Sequence, residues 1–157
     1  MGRGCLLYPD GSREWLDGGA WNDNLLVDEG EKNILDDWLG GLAIVSKYLF
    51  LIDDTVVETD TLASVTETET PGTDGYTRQQ ILTTDWAAAV LDVGDYQRTA
   101  SAKTFGPNTG ANWSIQHVGL GTVATGTAGL FLAAVPTGPV TVPTSISFQW
   151  TMKAKLR

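Results

Sequence analysis

Few residues in this chain have the types and spacing that do chemistry. His117 is the only histidine among 157 residues. An imidazole works as a general base or metal ligand only beside partner groups. It lies in "NWSIQHVGLGT", where Trp113, Ile115 and His117 alternate with Ser114 and Gln116. That alternation is the mark of a half-buried strand, so the ring is expected to have a structural or surface place. Seven carboxylates fall between Asp53 and Asp74 with no basic residue among them. Clustered carboxylates can hold calcium, but the D-x-D-x-D-G spacing of a calcium loop is missing. A solvated loop that keeps the protein soluble is the expectation. The lone cysteine, Cys5, excludes an internal disulfide and a cysteine zinc cluster. It reads as a small, half-buried apolar side chain. No phosphate loop, nucleophile elbow or zinc pattern is present. The expectation is a non-enzyme with no catalytic residue, no metal and no cofactor.

Six tryptophans are the other chemical resource. Indole faces stack on sugars, but aromatics are also what protein interfaces enrich. Trp113 and Trp150 sit in apolar alternation and Trp38 on a helical stripe, so all three read as core. Trp15, Trp21 and Trp86 are not placed by pattern. Protein contact outranks carbohydrate contact for them.

The formal net charge is −9. Nucleic-acid affinity comes from lysine and arginine on phosphate, so a nucleic-acid partner is not expected. The basic cluster of the sequence is Lys153, Lys155 and Arg157. No apolar run approaches the ~20 residues that span a bilayer, and no membrane partner is expected. The first residues lack the long apolar region of a secretory signal. The chain reads as soluble, acidic and made inside the cell.

The elements that would position these residues are mostly strands. Residues 28–39, "DEGEKNILDDWL", predict one short helix. Asp28 is placed to cap it, and Glu29 and Glu31 suit its positive end. Ile34, Leu35, Trp38 and Leu39 make its apolar stripe, and Gly40–Gly41 its stop. "KYLFLI" (47–52) predicts a buried strand, and "TVVE" and "LASVTETE" possible edge strands. In "SISFQWTMKAKLR", Ile146, Phe148, Trp150, Met152, Ala154 and Leu156 share one face of a strand. About eight short strands at 8–12-residue spacing predict an all-β protein. The expected fold is an antiparallel β-sandwich, jelly-roll-like, over residues 24–157. Residues 1–23 are glycine-rich and predict an extended N-terminal arm. Leu6, Leu7, Tyr8, Trp15 and Trp21 would be its interface side chains, since tryptophan and tyrosine anchor well. The alternative is that the arm folds back on its own domain.

The stretch from 24 to 135 resembles small structural proteins of tailed bacteriophages. The matching pieces, in order, are Asn24, Gly30, Leu35 and Asp36; Tyr48 to Ile52; Asp60 to Ala63; Tyr76 and Arg78; and Gly129 to Leu132. The strand "YLFLIDD" lacks the usual glycine before leucine, and residues 1–23 match nothing in that pattern. The resemblance implies a virion structural protein, made in the host cytoplasm and built into a capsid as a decoration or into a head or tail as a minor component. Its expected partners are other virion proteins, such as major capsid or tail subunits, and further copies of itself as a homo-oligomer. The alternative is a receptor- or glycan-binding β-sandwich module of a virion or host surface.

Overall fold

The computed structural model describes residues 1–23, 25–32, 46–92 and 95–155. Among these, eleven strands form: β1 (Gly2–Leu7), β2 (Arg13–Trp15), β3 (Leu25–Leu26), β4 (Lys47–Ile52), β5 (Gln79–Ile81), β6 (Val90–Asp92), β7 (Asp95–Thr99), β8 (Lys103–Phe105), β9 (Trp113–Gly121), β10 (Phe131–Val142) and β11 (Ser147–Lys155). They make two antiparallel sheets. One runs β2-β1-β11-β7-β6, with β8 also on β11, and the other runs β3-β10-β9-β4-β5. The expected all-β antiparallel class is what the chain adopts.

Both sheets feed one core. Leu6, Phe105, Phe148 and Trp150 from the first meet Leu49, Leu51, Ile115 and Val118 from the second. The alternation read in β11 holds: Phe148 and Trp150 are buried, and Met152 packs against the same cluster. β4 is the strand expected at 47–52. Its unbroken apolar run has a physical reason, because β4 is buried on both faces. Leu49 and Leu51 enter the shared core, while Phe50 and Ile52 join a second cluster with Val27, Val56, Leu62, Phe131 and Ala134.

Residues 1–23, expected as an arm, lie on the chain's own sheet. β1 pairs along its length with β11, from Gly2 opposite Met152 to Leu7 opposite Ser147. β2 then pairs back on β1. Gly2 and Gly4 made the segment look irregular, but they serve a close approach. A β-carbon at either would collide with the Trp150 indole. Glycine inside a strand marks such an approach. Leu6 is accordingly core and not interface, and Cys5 is fully buried rather than half-buried.

The expected helix is described only at its start. Residues 28–32 are helical; Ile34, Leu35, Trp38 and Leu39 lie outside the described residues. The cap differs from the expectation. The Val27 carbonyl accepts from the Glu31 N–H at 3.0 Å, so Val27 holds the cap position and Asp28 the first helical one. Asp28 N–H donates to the Glu58 carbonyl instead.

No strand forms at "TVVE" or "LASVTETE"; a single bridge, Ile52 to Glu67, is made there. Residues 53–75 run as turns. The sequence of β10 includes a Pro/Gly stretch at 136–139. β10 continues through it with a register shift between Pro136 and Val140, a bulge in which Gly138 takes φ 70°. Ile115 and Val118 of β9 enter the same core although they are three apart. His117 is paired opposite Ile52 and shares its face, the one that carries the second cluster.

Candidate interaction surfaces

His117, the residue whose type could do chemistry, is held as structure. His117 is half-buried, with Nδ1 2.8 Å from the Asp54 carbonyl oxygen. A carbonyl only accepts, so Nδ1 carries the proton there and the imidazole is used to pin a loop. Among the described residues no group of three or more His, Cys, Asp or Glu side chains could hold a metal ion. No helix among them is long and apolar enough to cross a membrane.

The most organised polar cluster sits under the acidic loop. Arg78 Nη2 and Nε donate to the Glu67 carboxylate at 2.7 and 3.0 Å. Arg78 Nη1 donates to the Val123 carbonyl at 3.0 Å, and the guanidinium lies 5.0 Å from the Phe50 ring centroid. The Tyr76 hydroxyl donates to Glu67 and accepts from the Leu51 N–H at 3.0 Å. Burial, then the Glu67 charge and hydrogen bond, push the Tyr76 hydroxyl well above its ordinary range. A buried guanidinium needs such complete pairing. The cluster fastens residues 67–78 and the 123 turn to β4.

Some described positions in or beside the pieces of the phage-like pattern also touch, while Asn24, Leu35 and Asp36 lie outside the described residues. Glu29 accepts the Phe131 N–H at 2.8 Å. Gly30 lies so close to the Leu132 carbonyl that a β-carbon would overlap it. Tyr76 and Arg78 are the two arms of the Glu67 cluster. These positions hold segments together, so a sequence signature at them reports packing.

Among the described residues, two surfaces that present aromatic or apolar side chains outward stand out. The first is on β1, β2 and the following turn. Side chains alternate along β1, so Arg3, Cys5 and Leu7 point away from the core that Gly2, Gly4 and Leu6 line. The Arg3 guanidinium lies 5.0 Å from the Trp15 ring centroid and 4.7 Å from that of Trp21. Lys153 Nζ lies 4.1 Å from the Trp21 centroid. Trp15 is 38% exposed, Trp21 half-buried and Arg13 exposed. Of the five expected interface residues, Trp15 and Trp21 belong here. Leu7 is half-buried in β1, and Tyr8 packs against the core with its hydroxyl donating to Glu14 at 2.6 Å.

The second surface is the β6–β7 hairpin at the far end of the same sheet. Val90 and Leu91 on β6 and Tyr96 on β7 are 53%, 62% and 60% exposed. Sequence reading missed it, because "DWAAAVLDV" fits a strand or a helical turn equally. It resolves into a 3-10 turn at Thr83–Asp85 followed by β6. The signal was present in Val90 and Leu91 side by side, since one of two adjacent apolar residues in an edge strand must face out. Trp86, unplaced by pattern, packs against the core. Compared with known proteins, the chain matches no protein-family model and no curated protein.

Proposed function

We propose that the chain is a structural component of a bacteriophage virion, a capsid decoration or minor head or tail protein that adds contacts between subunits. The two sheets are read as a β-sandwich. The jelly-roll form is less well supported, because β1–β2, β4–β5, β6–β7 and β9–β10 are neighbours both in sequence and in space. The observation that carries the function is the β6–β7 edge. β6 ends its sheet, and an end strand offers unpaired backbone groups that can template pairing with another chain. Protected edges carry charge or proline; this one carries Val90, Leu91 and Tyr96 outward. Backbone pairing plus apolar side chains is the usual chemistry of strand addition. The resemblance of residues 24–135 names the setting, and the net charge of −9 keeps the chain in solution.

The glycan-binding alternative is supported less. Arg3 and Lys153 lie over the Trp15 and Trp21 rings, where a sugar would need open faces. The test is cosedimentation of the purified chain with particles of the source phage lacking it, wild type against Leu91→Asp. Wild type should bind and the variant should lose binding while keeping its melting temperature. A folded wild type that binds no particle, or binding that Leu91→Asp leaves intact, would overturn the reading of this edge as the contact.

A further inference from the structure

We infer that the face made by Arg3, Arg13, Trp15, Trp21 and Lys153 docks the acidic loop, residues 53–75, of a second copy of this chain. The argument starts from where the cations are. The sequence has 10 lysines and arginines against 19 acids. Arg78 and Lys103 are spent on Glu67 and Asp85 inside the molecule. Arg98 donates to the Ala87 and Trp86 carbonyls. Arg3, Arg13 and Lys153 instead gather on one face of β1, β2 and β11, and none of the three has a carboxylate partner among the described residues. In a protein of net charge −9 such a patch attracts acids.

The form of the patch sets its ligand. A guanidinium laid over indole rings is held by its faces, and its N–H edge stays free to take a carboxylate in fork geometry. Arg3 is held in that way between Trp15 and Trp21; its Nε is buried and unpartnered, so a carboxylate would meet the guanidinium at its terminal nitrogens. The half-exposed Trp15 ring beside it offers apolar area. The matching ligand is therefore a segment carrying carboxylates next to an apolar side chain.

The chain itself carries one. Between Asp53 and Asp74 there are seven carboxylates and no cation. Glu67 is used internally, but Glu58 is exposed beside Val57, which is 52% exposed. The segment is not floppy. Val57 N–H donates to Asp60 at 2.8 Å, and the Glu58 carbonyl accepts from Asp28. A preformed acidic turn costs less to dock than a disordered one. The loop follows β4 of one sheet and the patch lies on the other sheet, so the contact joins unlike surfaces, head to tail. This inference does not rest on the virion reading, and the purified chain alone tests it.

Sedimentation of the full chain should show association that grows with concentration and weakens from low to high salt, as screening shortens the reach of the charges. Arg13→Glu and Glu58→Arg should each weaken it about tenfold or more, about 1.4 kcal/mol, with melting temperatures unchanged. The decisive arm is their mixture. Arg13→Glu keeps an intact loop and Glu58→Arg an intact patch, and the altered patch and altered loop are themselves opposite in charge, so an equimolar mixture should associate more strongly than either variant alone. A folded wild type that stays monomeric at low salt overturns the inference. So does association that ignores salt or both variants, or a mixture no better than either variant alone. A monomeric wild type that binds a sulfated polysaccharide through Arg13 would overturn it too, and assign the patch to a different partner.

Discussion

Gly4 in β1 lies flat against Trp150 in β11: a β-carbon built on it would stand 2.7 Å from Trp150 Cε3 and 2.9 Å from Phe148 Cζ. Both aromatic side chains are fully buried, so neither can swing into solvent. Gly4→Val should therefore destabilise the protein by about 1–3 kcal/mol, the usual range for overpacking a core. Trp150→Ala, which empties the same space, should cost about 3–5 kcal/mol. Denaturant titration of the two variants checks both figures. A Gly4→Val protein as stable as the parent would show that β1 is not seated on that indole.

The same seat makes Cys5 a reporter. Its thiol is fully buried, and burial pushes its pKa up against the opposing pull of Arg13 and Arg3. The reactive form is the thiolate, so the native thiol should label slowly, at a rate set by opening of β1. The unfolded chain should label at once. Deleting residues 2–20 removes β1 and β2 and uncovers Trp150 and Phe148, so the truncated chain should lose its cooperative unfolding transition. Immediate labelling of the native protein, or a truncated chain that melts like the parent, would restore the free-arm reading.

How much of this was legible depends on where the pattern survived. β11 and β4 could be read, one from clean alternation and one from an unbroken apolar run. Asn108 is buried with its amide donating to the Ala111 and Val142 carbonyls and its oxygen accepting from the Gly110 N–H, bonds that no local pattern announces. β1 was illegible because the partner supplies its hydrophobic payload. Glycines at 2 and 4 leave room for Trp150, and a single sequence cannot show that the missing side chains are replaced from 146 residues away in the chain, as Gly4 and Trp150 are. The bulge at Pro136–Val140 was illegible for a related reason. Pro and Gly signal a break, and only the register with β9 shows that the strand resumes. The cation stack on Trp15 and Trp21 joins residues from both ends of the chain, which local spacing never brings together.

Lys103 and Asp85 form an outer clasp between β8 and the turn before β6, with Lys103 Nζ donating to Asp85 at 2.7 Å. That bond, more than any other contact, holds the Asp85 carboxyl below its ordinary range. A lowered pKa means that the ion pair stabilises the fold above the unfolded value of 3.8 and is lost as pH falls through the folded value. Asp85→Asn should cost about 0.2–1 kcal/mol at neutral pH, as for partly exposed pairs. The difference between variant and parent should vanish in acid. A difference that persists unchanged at acid pH would mean that Asp85 acts through its backbone hydrogen bond to Leu82 rather than its charge.

Glu67 ties the acidic loop to the sheet, and its removal should be strongly destabilising. Its Arg78 partner is 2% exposed at the side chain and Glu67 is 15% exposed. Glu67→Ala leaves a buried guanidinium without its counter-charge, and breaking such a pair costs about 3–5 kcal/mol. Glu67→Gln keeps an acceptor and should cost less. Tyr76 supplies an independent readout. Its raised pKa means that the neutral phenol is favoured in the folded state. The sign follows: the Tyr76 contribution is complete below the unfolded value of 10.0 and is lost as pH rises from there towards the higher folded value. Tyr76 should therefore ionise well above the ordinary tyrosine range when absorbance is followed with pH, and its ionisation should coincide with unfolding. In Glu67→Gln the neighbouring negative charge is gone, so the Tyr76 transition should move down. A Tyr76 that titrates near 10 in the native parent, or one that Glu67→Gln leaves unmoved, would show that the hydroxyl does not face the carboxylate.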